Sequence, residues 1–238
     1  MSNNFPKPER VLVVVAHPDD PEFGAAGTSA VWAAQGAEVT YVIVTDGSKG
    51  SAEEDMTREK LIEVREAEQR KAGEAVGVSQ LVFLRQPDGE ASNTYELREL
   101  IVRQIRKFKP DVLVTHDPTS RIVGGGYLNH RDHRVVGDTT LDAIFPLARD
   151  RLNFPEHEAE GLAPHKVLDV FLIFSDQPNY WVDISTSVEQ KINALQAHES
   201  QIGDPEELAA RIYERTRSAA EQVSFEFGEA FRRVQLRR

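Results

Sequence analysis

Val11-Leu12-Val13-Val14-Val15-Ala16-His17-Pro18-Asp19-Asp20-Pro21-Glu22 carries an unbroken apolar, β-branched stretch straight into an imidazole and two adjacent carboxylates. A run of that kind, with no polar alternation, predicts a strand covered on both faces, as in a parallel sheet. The charged residues at its carboxyl end then conflict with their surroundings, because neighbouring like charges repel and burial penalises their ionised forms. A cation held there removes the conflict. A turn in which one Asp caps the following helix accounts for one carboxylate and leaves the other, and His17, unexplained.

Outward from this stretch, further apolar runs at 39–45, 81–84 and 112–115 read as buried strands, and 22–35, 57–76 and 94–108 carry apolar residues at helical spacing. Gly36, Gly77 and Pro110 punctuate the ends of those helices. The alternation predicts right-handed βαβ crossovers and a Rossmann-like, three-layer α/β/α fold with a mostly parallel sheet. Such sheets bind ligands in the crevice beyond the strands' carboxyl ends, where His17 to Asp20, Thr45 to Gly50, Gln86 to Gly89 and His116 to Pro118 fall. Later come strands at 167–174 and 180–184, helices at 188–198 and 205–222, and a last short strand near 225–231, with 153–164 as an exposed loop. No linker interrupts the chain, so residues 1–238 are expected to form a single domain.

With 238 residues, 40% hydrophobic and 28% charged, the chain has an ordinary globular composition. Its net charge of -11 argues against general nucleic-acid binding, and the basic runs 103–109 and 232–238 are expected on solvated helix faces and at an end. The absence of cysteine excludes thiolate chemistry and leaves His, Asp and Glu as metal ligands. No run suits a bilayer or a secretory leader, so neither a membrane nor export is expected, and a cytoplasmic location is the default. No Gly-x-Gly-x-x-Gly follows the first strand, and Gly24 and Gly27 come too late in the following helix to cradle a dinucleotide.

Far downstream, Asn129-His130-Arg131-Asp132-His133 brings two more imidazoles at helical spacing. Read alone it could be a polar loop; paired with the first motif it completes a metal site. With Thr45-Asp46-Gly47, Arg65-Glu66-Ala67-Glu68, Pro110-Asp111-Val112 and the segment Lys191 to Gln201, these motifs are similar, in order and over most of the chain, to the PIG-L/LmbE-like family of zinc-dependent N-deacetylases.

The resemblance implies that His17, Asp20 and His133 hold one zinc, leaving an exchangeable position; iron or cobalt would suit the same ligands. It implies that Asp19 is the general base, that His130 stabilises the tetrahedral oxyanion, and that Asp132 orients His130 and keeps it cationic. A bell-shaped pH dependence follows. Arg65 either contacts substrate or is a surface arginine among Glu63, Glu66 and Glu68; His116 either lines the pocket or is a hydrogen-bonded core histidine; His198 is structural or touches substrate. Two positions depart from the family pattern: Arg131 replaces a proline between His130 and Asp132, and Leu128 stands where some relatives have a mobile tyrosine, with Tyr127 one step earlier. Gly124-Gly125-Gly126 suits a lid.

The expected activity is hydrolysis of an N-acyl amide, N-acetyl above all, on a glucosamine-type sugar or its conjugate. Rivals are an amidase acting on a thiol-sugar conjugate, a phosphoesterase, and a non-catalytic sugar-binding protein; Asp19 beside three ligands argues against the last, since a binder needs no base. The expected partner is a small amino-sugar substrate, and the family resemblance implies a homo-oligomer, trimer or hexamer.

Overall fold

β1 (Arg10–Val15), α1 (Asp20–Ala34), β2 (Glu38–Thr45), α2 (Arg58–Ala75), β3 (Gln80–Gln86), α3 (Tyr95–Phe108) and β4 (Val112–His116) alternate as the apolar periodicity predicts. The computed structural model describes residues 6–124 and 126–237. A small hairpin follows, β5 (Ile122–Val123) with β6 (Tyr127–Leu128), then α4 (Arg131–Asp142), which runs into a π-helical stretch at Ala143–Ala148. The chain closes with α5 (Glu156–Ala159), β7 (Asp169–Ile173), β8 (Tyr180–Asp183), α6 (Val188–Gln196), α7 (Pro205–Ala220) and β9 (Gly228–Gln235).

The main sheet has the order β3-β2-β1-β4-β7-β9-β8. Because successive side chains of a strand point to opposite faces, Val11, Val13 and Val15 pack with α1, α2, α6 and α7, while Leu12 and Val14 pack with α3 and α4. That two-sided burial is why β1 reads as a continuous apolar run. From β1 the chain proceeds through β2 to β3 on one side and then places β4 on the other, all parallel. The switch opens a crevice beyond the carboxyl ends of β1 and β4. α1 lies close over this sheet: a Cβ on Gly24 would stand 2.6 Å from Ile173 Cδ1, and one on Gly27 2.8 Å from Ile184 Cδ1. Both glycines serve helix-on-sheet contact and not phosphate binding.

The sheet is mostly parallel, as expected: it is parallel from β3 through β7 and antiparallel where β9 pairs with β7 and β8. One crossover helix returns the chain for a parallel strand, whereas the two helices α6 and α7 between β8 and β9 leave it at the opposite end. Arg106, in the basic run assigned to a solvated face, is fully buried. Its guanidinium donates to the carbonyls of Leu147, Ala148, Asp150, Asn153 and Phe154 and so gathers the chain where the π-helical stretch ends. That anchor draws Phe154 and His157 into the interior, so 153–164 is not simply an exposed loop. Among the described residues no helix is long and apolar enough to cross a membrane. Gly125 of the glycine run lies outside the described residues, as do Met1 to Phe5.

Candidate active site

The chain leaves β1 at Ala16, whose amide donates to His116 Nε2 at 3.0 Å, tying β1 to the end of β4. Asp19 occupies the N-cap position of α1 with φ 88°, a left-handed conformation that Asp tolerates better than most residues, and its side chain makes no capping bond. The carboxylate turns instead to Arg65 on α2, whose Nη2 donates to Asp19 Oδ2 at 3.1 Å and to Pro18 O at 2.7 Å, while Nη1 donates to Gly47 O at 3.0 Å. Arg65 is 4% exposed, so the surface alternative falls away. The Asp19 amide donates to Gln69 Oε1 at 3.0 Å.

Asp20 faces the other way. Its Oδ2 accepts the His17 amide at 2.7 Å and lies 3.3 Å from His17 Nδ1, and its Oδ1 lies 3.0 Å from His133 Nε2. One carboxylate is thus bracketed by two imidazole nitrogens. The remaining nitrogen of each ring also has a partner: His17 Nε2 is 3.2 Å from Asp88 Oδ1 and 3.5 Å from Asp132 Oδ2, and His133 Nδ1 is 3.1 Å from Asn129 Oδ1. Asp88 is held by the Lys49 amide at 3.0 Å and Asp132 by the Gly89 amide at 2.7 Å. Asp46 Oδ1 accepts the Asp88 amide at 3.1 Å, so Asp46 shapes the rim.

The donor set suits a divalent ion. It is nitrogen and oxygen without sulfur, mostly buried, and each imidazole is oriented by an outer acceptor as histidine ligands commonly are. Charge agrees. Burial works against a charged His17, yet hydrogen bonds to Asp132, Asp20 and Asp88 hold its pKa up at about 12, a measure of how strongly these carboxylates favour positive charge here. Burial would raise Asp20, but the neighbouring His133 and His116 rings hold it well below the usual carboxylate range. Close groupings of possible ligand atoms are His17 with His130 and His133, Asp20 with His116 and His133, and His17 with Asp88 and Asp132. His116 is a poor ligand: its Nε2 lone pair receives the Ala16 amide, and burial, with the His133 charge, pushes its pKa down to about 4. It is a core histidine that also stacks on His133, with ring centroids 4.2 Å apart at 12°.

Asp19 has the opposite environment to Asp20. Burial pushes its pKa up to about 6, with Arg65 pulling it down and Asp20 pushing it up. That is the range in which a carboxylate both accepts and returns a proton near neutrality.

One expected pairing is corrected. The Asp132 carboxylate does not orient His130; it faces His17 Nε2, and the Asp132 backbone amide donates to His130 Nδ1 at 3.1 Å, because His130 is the N-cap of α4. The His130 pKa lies below its ordinary value, owing to lost solvation and then to the charges of His17 and His133, against the expectation of a cationic ring. Tyr127 is 78% exposed on β6 and makes no part of this cluster.

Several buried groups escaped the sequence reading. Gln69 Nε2 donates to Glu22 Oε1 at 2.9 Å, and His198 Nε2 is 3.1 Å from Glu22 Oε2. Lys191 Nζ donates to the carbonyls of Glu22 and Phe23 and to Glu229 Oε1, whose carboxylate accepts the Gly27 and Thr28 amides. His198 is therefore structural. The signal available was the placement of Glu22, Gln69 and Lys191 on helix faces that had to be buried against the sheet.

The family model described as PIG-L, GlcNAc-PI de-N-acetylase, matches residues 12–144, a span that holds His17, Asp19, Asp20, Arg65, Asp88 and the 129–133 motif. Diacetylchitobiose deacetylase of Thermococcus kodakarensis is 34% identical over 84% of this chain and 72% of its own length. A probable N-acetyl-alpha-D-glucosaminyl L-malate deacetylase of Bacillus anthracis is 28% identical over 86% of each chain. The solved structure of N,N′-diacetylchitobiose deacetylase from Pyrococcus horikoshii, in complex with an inhibitor, superposes with a TM-score of 0.89 and 28% identity, covering 98% of this chain and 86% of that one. With more than half of its residues under the family model and this arrangement at the end of β1, the chain belongs to the PIG-L family of de-N-acetylases.

Proposed function

We propose that this protein is an N-deacetylase that hydrolyses an N-acetyl amide on a glucosamine-type sugar or sugar conjugate, with His17 Nδ1, Asp20 and His133 Nε2 as the ligands of a zinc ion. The observation that carries the reading is the division of labour at Asp19-Asp20: one carboxylate is bracketed by imidazoles, and its neighbour is free of both cap and imidazole and is aimed by Arg65. When bound, zinc would supply Lewis-acid polarisation of the amide carbonyl and acidify a water beside it.

The protein's own groups do the rest. Asp19 takes the proton of the attacking water as its oxygen bonds to the acyl carbon. His130, exposed at the start of α4 with Nδ1 already accepting a backbone amide, presents Nε2–H as a donor to the oxyanion. As the C–N bond breaks, the proton held by Asp19 is available to the leaving nitrogen, so the products are a free amine and acetate. Arg65 is the positioning residue for Asp19, and Asp88 with Asp132 support His17.

Primary-amine release from N-acetylglucosamine, diacetylchitobiose and N-acetylglucosaminyl conjugates by zinc-loaded protein, with Asp19→Ala as the blank, tests this. Release that vanishes in the variant supports the reading and names the substrate class. Zinc bound without release from any of them overturns it in favour of a larger acyl group or a sugar-binding role.

A further inference from the structure

His133 is the one proposed ligand whose ring is oriented by a neutral group, and that group is fully committed in only one way. We infer that Asn129 is a positioning residue that selects the His133 tautomer, with hydrogen on Nδ1, and so presents Nε2 to the metal. The inference rests on the zinc site proposed above.

Ser120 is buried, and its Oγ donates to Asp176 Oδ1 at 2.8 Å and accepts the Asp176 amide at 3.0 Å. That pair of bonds locks the Ser120 carbonyl, which accepts from Asn129 Nδ2 at 2.7 Å. A carbonyl can only accept, so the amide of Asn129 must place its nitrogen there and its oxygen on the opposite side. The oxygen is the atom 3.1 Å from His133 Nδ1. An amide oxygen can only accept as well, and Nδ1 must therefore carry the hydrogen. The Asn129 backbone allows no rearrangement: its amide donates to Arg121 O at 2.9 Å, its carbonyl accepts from Arg134, and the residue is 4% exposed.

The ring stacks of His133 supply what Asn129 does not. His116 stacks on the His133 ring with centroids 4.2 Å apart, and Phe174 lies at 5.7 Å tilted by 23°, contacts that restrict the plane of the imidazole. Stacking is indifferent to which edge of the ring turns toward Asp20. The single acceptor at Nδ1 breaks that symmetry and leaves Nε2 at 3.0 Å from Asp20 Oδ1. Outer hydrogen bonds of this type commonly change metal affinity by about 10- to 100-fold.

The experiment compares Asn129→Leu with Asn129→Asp in the full chain, titrating zinc against a competing chelator. Both variants lose the bond to Ser120, and only the leucine loses the acceptor for Nδ1. Zinc affinity is expected to fall about 10- to 100-fold in Asn129→Leu and to stay within about threefold of the parent in Asn129→Asp. Equal losses in the two variants, or no loss in either, overturn the inference. Because a leucine there could unfold the loop, the unmutated zinc-loaded protein is also read by nitrogen-15 imidazole spectroscopy. Hydrogen on His133 Nδ1 is the expected state; hydrogen on Nε2 with Nδ1 bound to zinc overturns the assignment. Parent protein that takes up no zinc overturns the site itself, and is separable from both variant outcomes.

Discussion

Three helices follow three parallel strands in this fold, and their first turns are built in two different ways. At α2 and α3 the N-cap is a threonine in extended conformation whose hydroxyl accepts an amide three residues on, Lys60 from Thr57 and Leu97 from Thr94. At α1 the N-cap is Asp19, left-handed at φ 88°, with its carboxylate withheld from the helix and given to Arg65. A cap of the first kind contributes stability alone. The second forgoes that bond and leaves a proton acceptor at the mouth of the crevice, and the start of α1 is braced from outside by Gln69, Lys191 and the Glu22–His198 pair.

The largest expected effect breaks the function of the α1 cap without breaking its structure. Asn accepts from Arg65 and tolerates left-handed backbone as Asp does, but cannot take a proton. Asp19→Asn is expected to lower kcat by about 10²- to 10⁴-fold while zinc content and unfolding free energy stay at the parent's values. Steady-state kinetics, metal analysis and denaturant unfolding check the three parts together; a stability loss matching the activity loss would make Asp19 an ordinary structural cap.

The brace is tested next. Lys191 is 2% exposed and joins the carbonyls of Glu22 and Phe23 to Glu229, so Lys191→Met leaves a buried carboxylate without its counter-ion. A loss of about 3–5 kcal/mol is expected from denaturant unfolding, the usual result of removing one member of a buried pair. An unchanged unfolding midpoint would mean that α1 is held by its apolar contacts alone.

This division also explains what could be read in advance. The strands β1 to β4, the intervening helices and the crevice were legible because they are written in local periodicity and in motifs at strand ends. Arg106, Gln69 and Lys191 were not, since their partners lie 41 to 48 residues away for Arg106, 47 for Gln69 with Glu22, and 169 for Lys191 with Glu22. A sequence window shows that such a residue lies on a helix face, but not which carbonyl waits opposite. The same limit sent Asp132 to its chain neighbour His130, when the N-cap geometry of α4 turns its carboxylate to His17.

On the Asp20 side, the burial of His116 makes metal-free stability pH-dependent. Its folded pKa of about 4 lies below the ordinary 6.5, so the unfolded chain binds the extra proton first. The neutral ring's contribution is complete above 6.5 and is lost as pH falls from 6.5 toward 4. At most about 3 kcal/mol is at stake from this group. Gln can accept the Ala16 amide without titrating, so His116→Gln is expected to flatten the stability slope over that window in unfolding measured across a pH series. An unaltered slope would assign the acid sensitivity to other groups.

The smallest effect separates the two kinds of cap most cleanly. Thr94→Ala removes the hydroxyl that accepts the Leu97 amide at 3.2 Å, and nothing else that Thr94 does touches the crevice. The cost should be about 1 kcal/mol, as for exchanging a threonine N-cap for alanine, with kcat and zinc content unchanged. It is the inverse of Asp19→Asn, which should change kcat and leave stability alone. A fall in kcat on losing the α3 cap would couple that helix to the crevice and erase the distinction between a cap that holds a helix and one that holds a base.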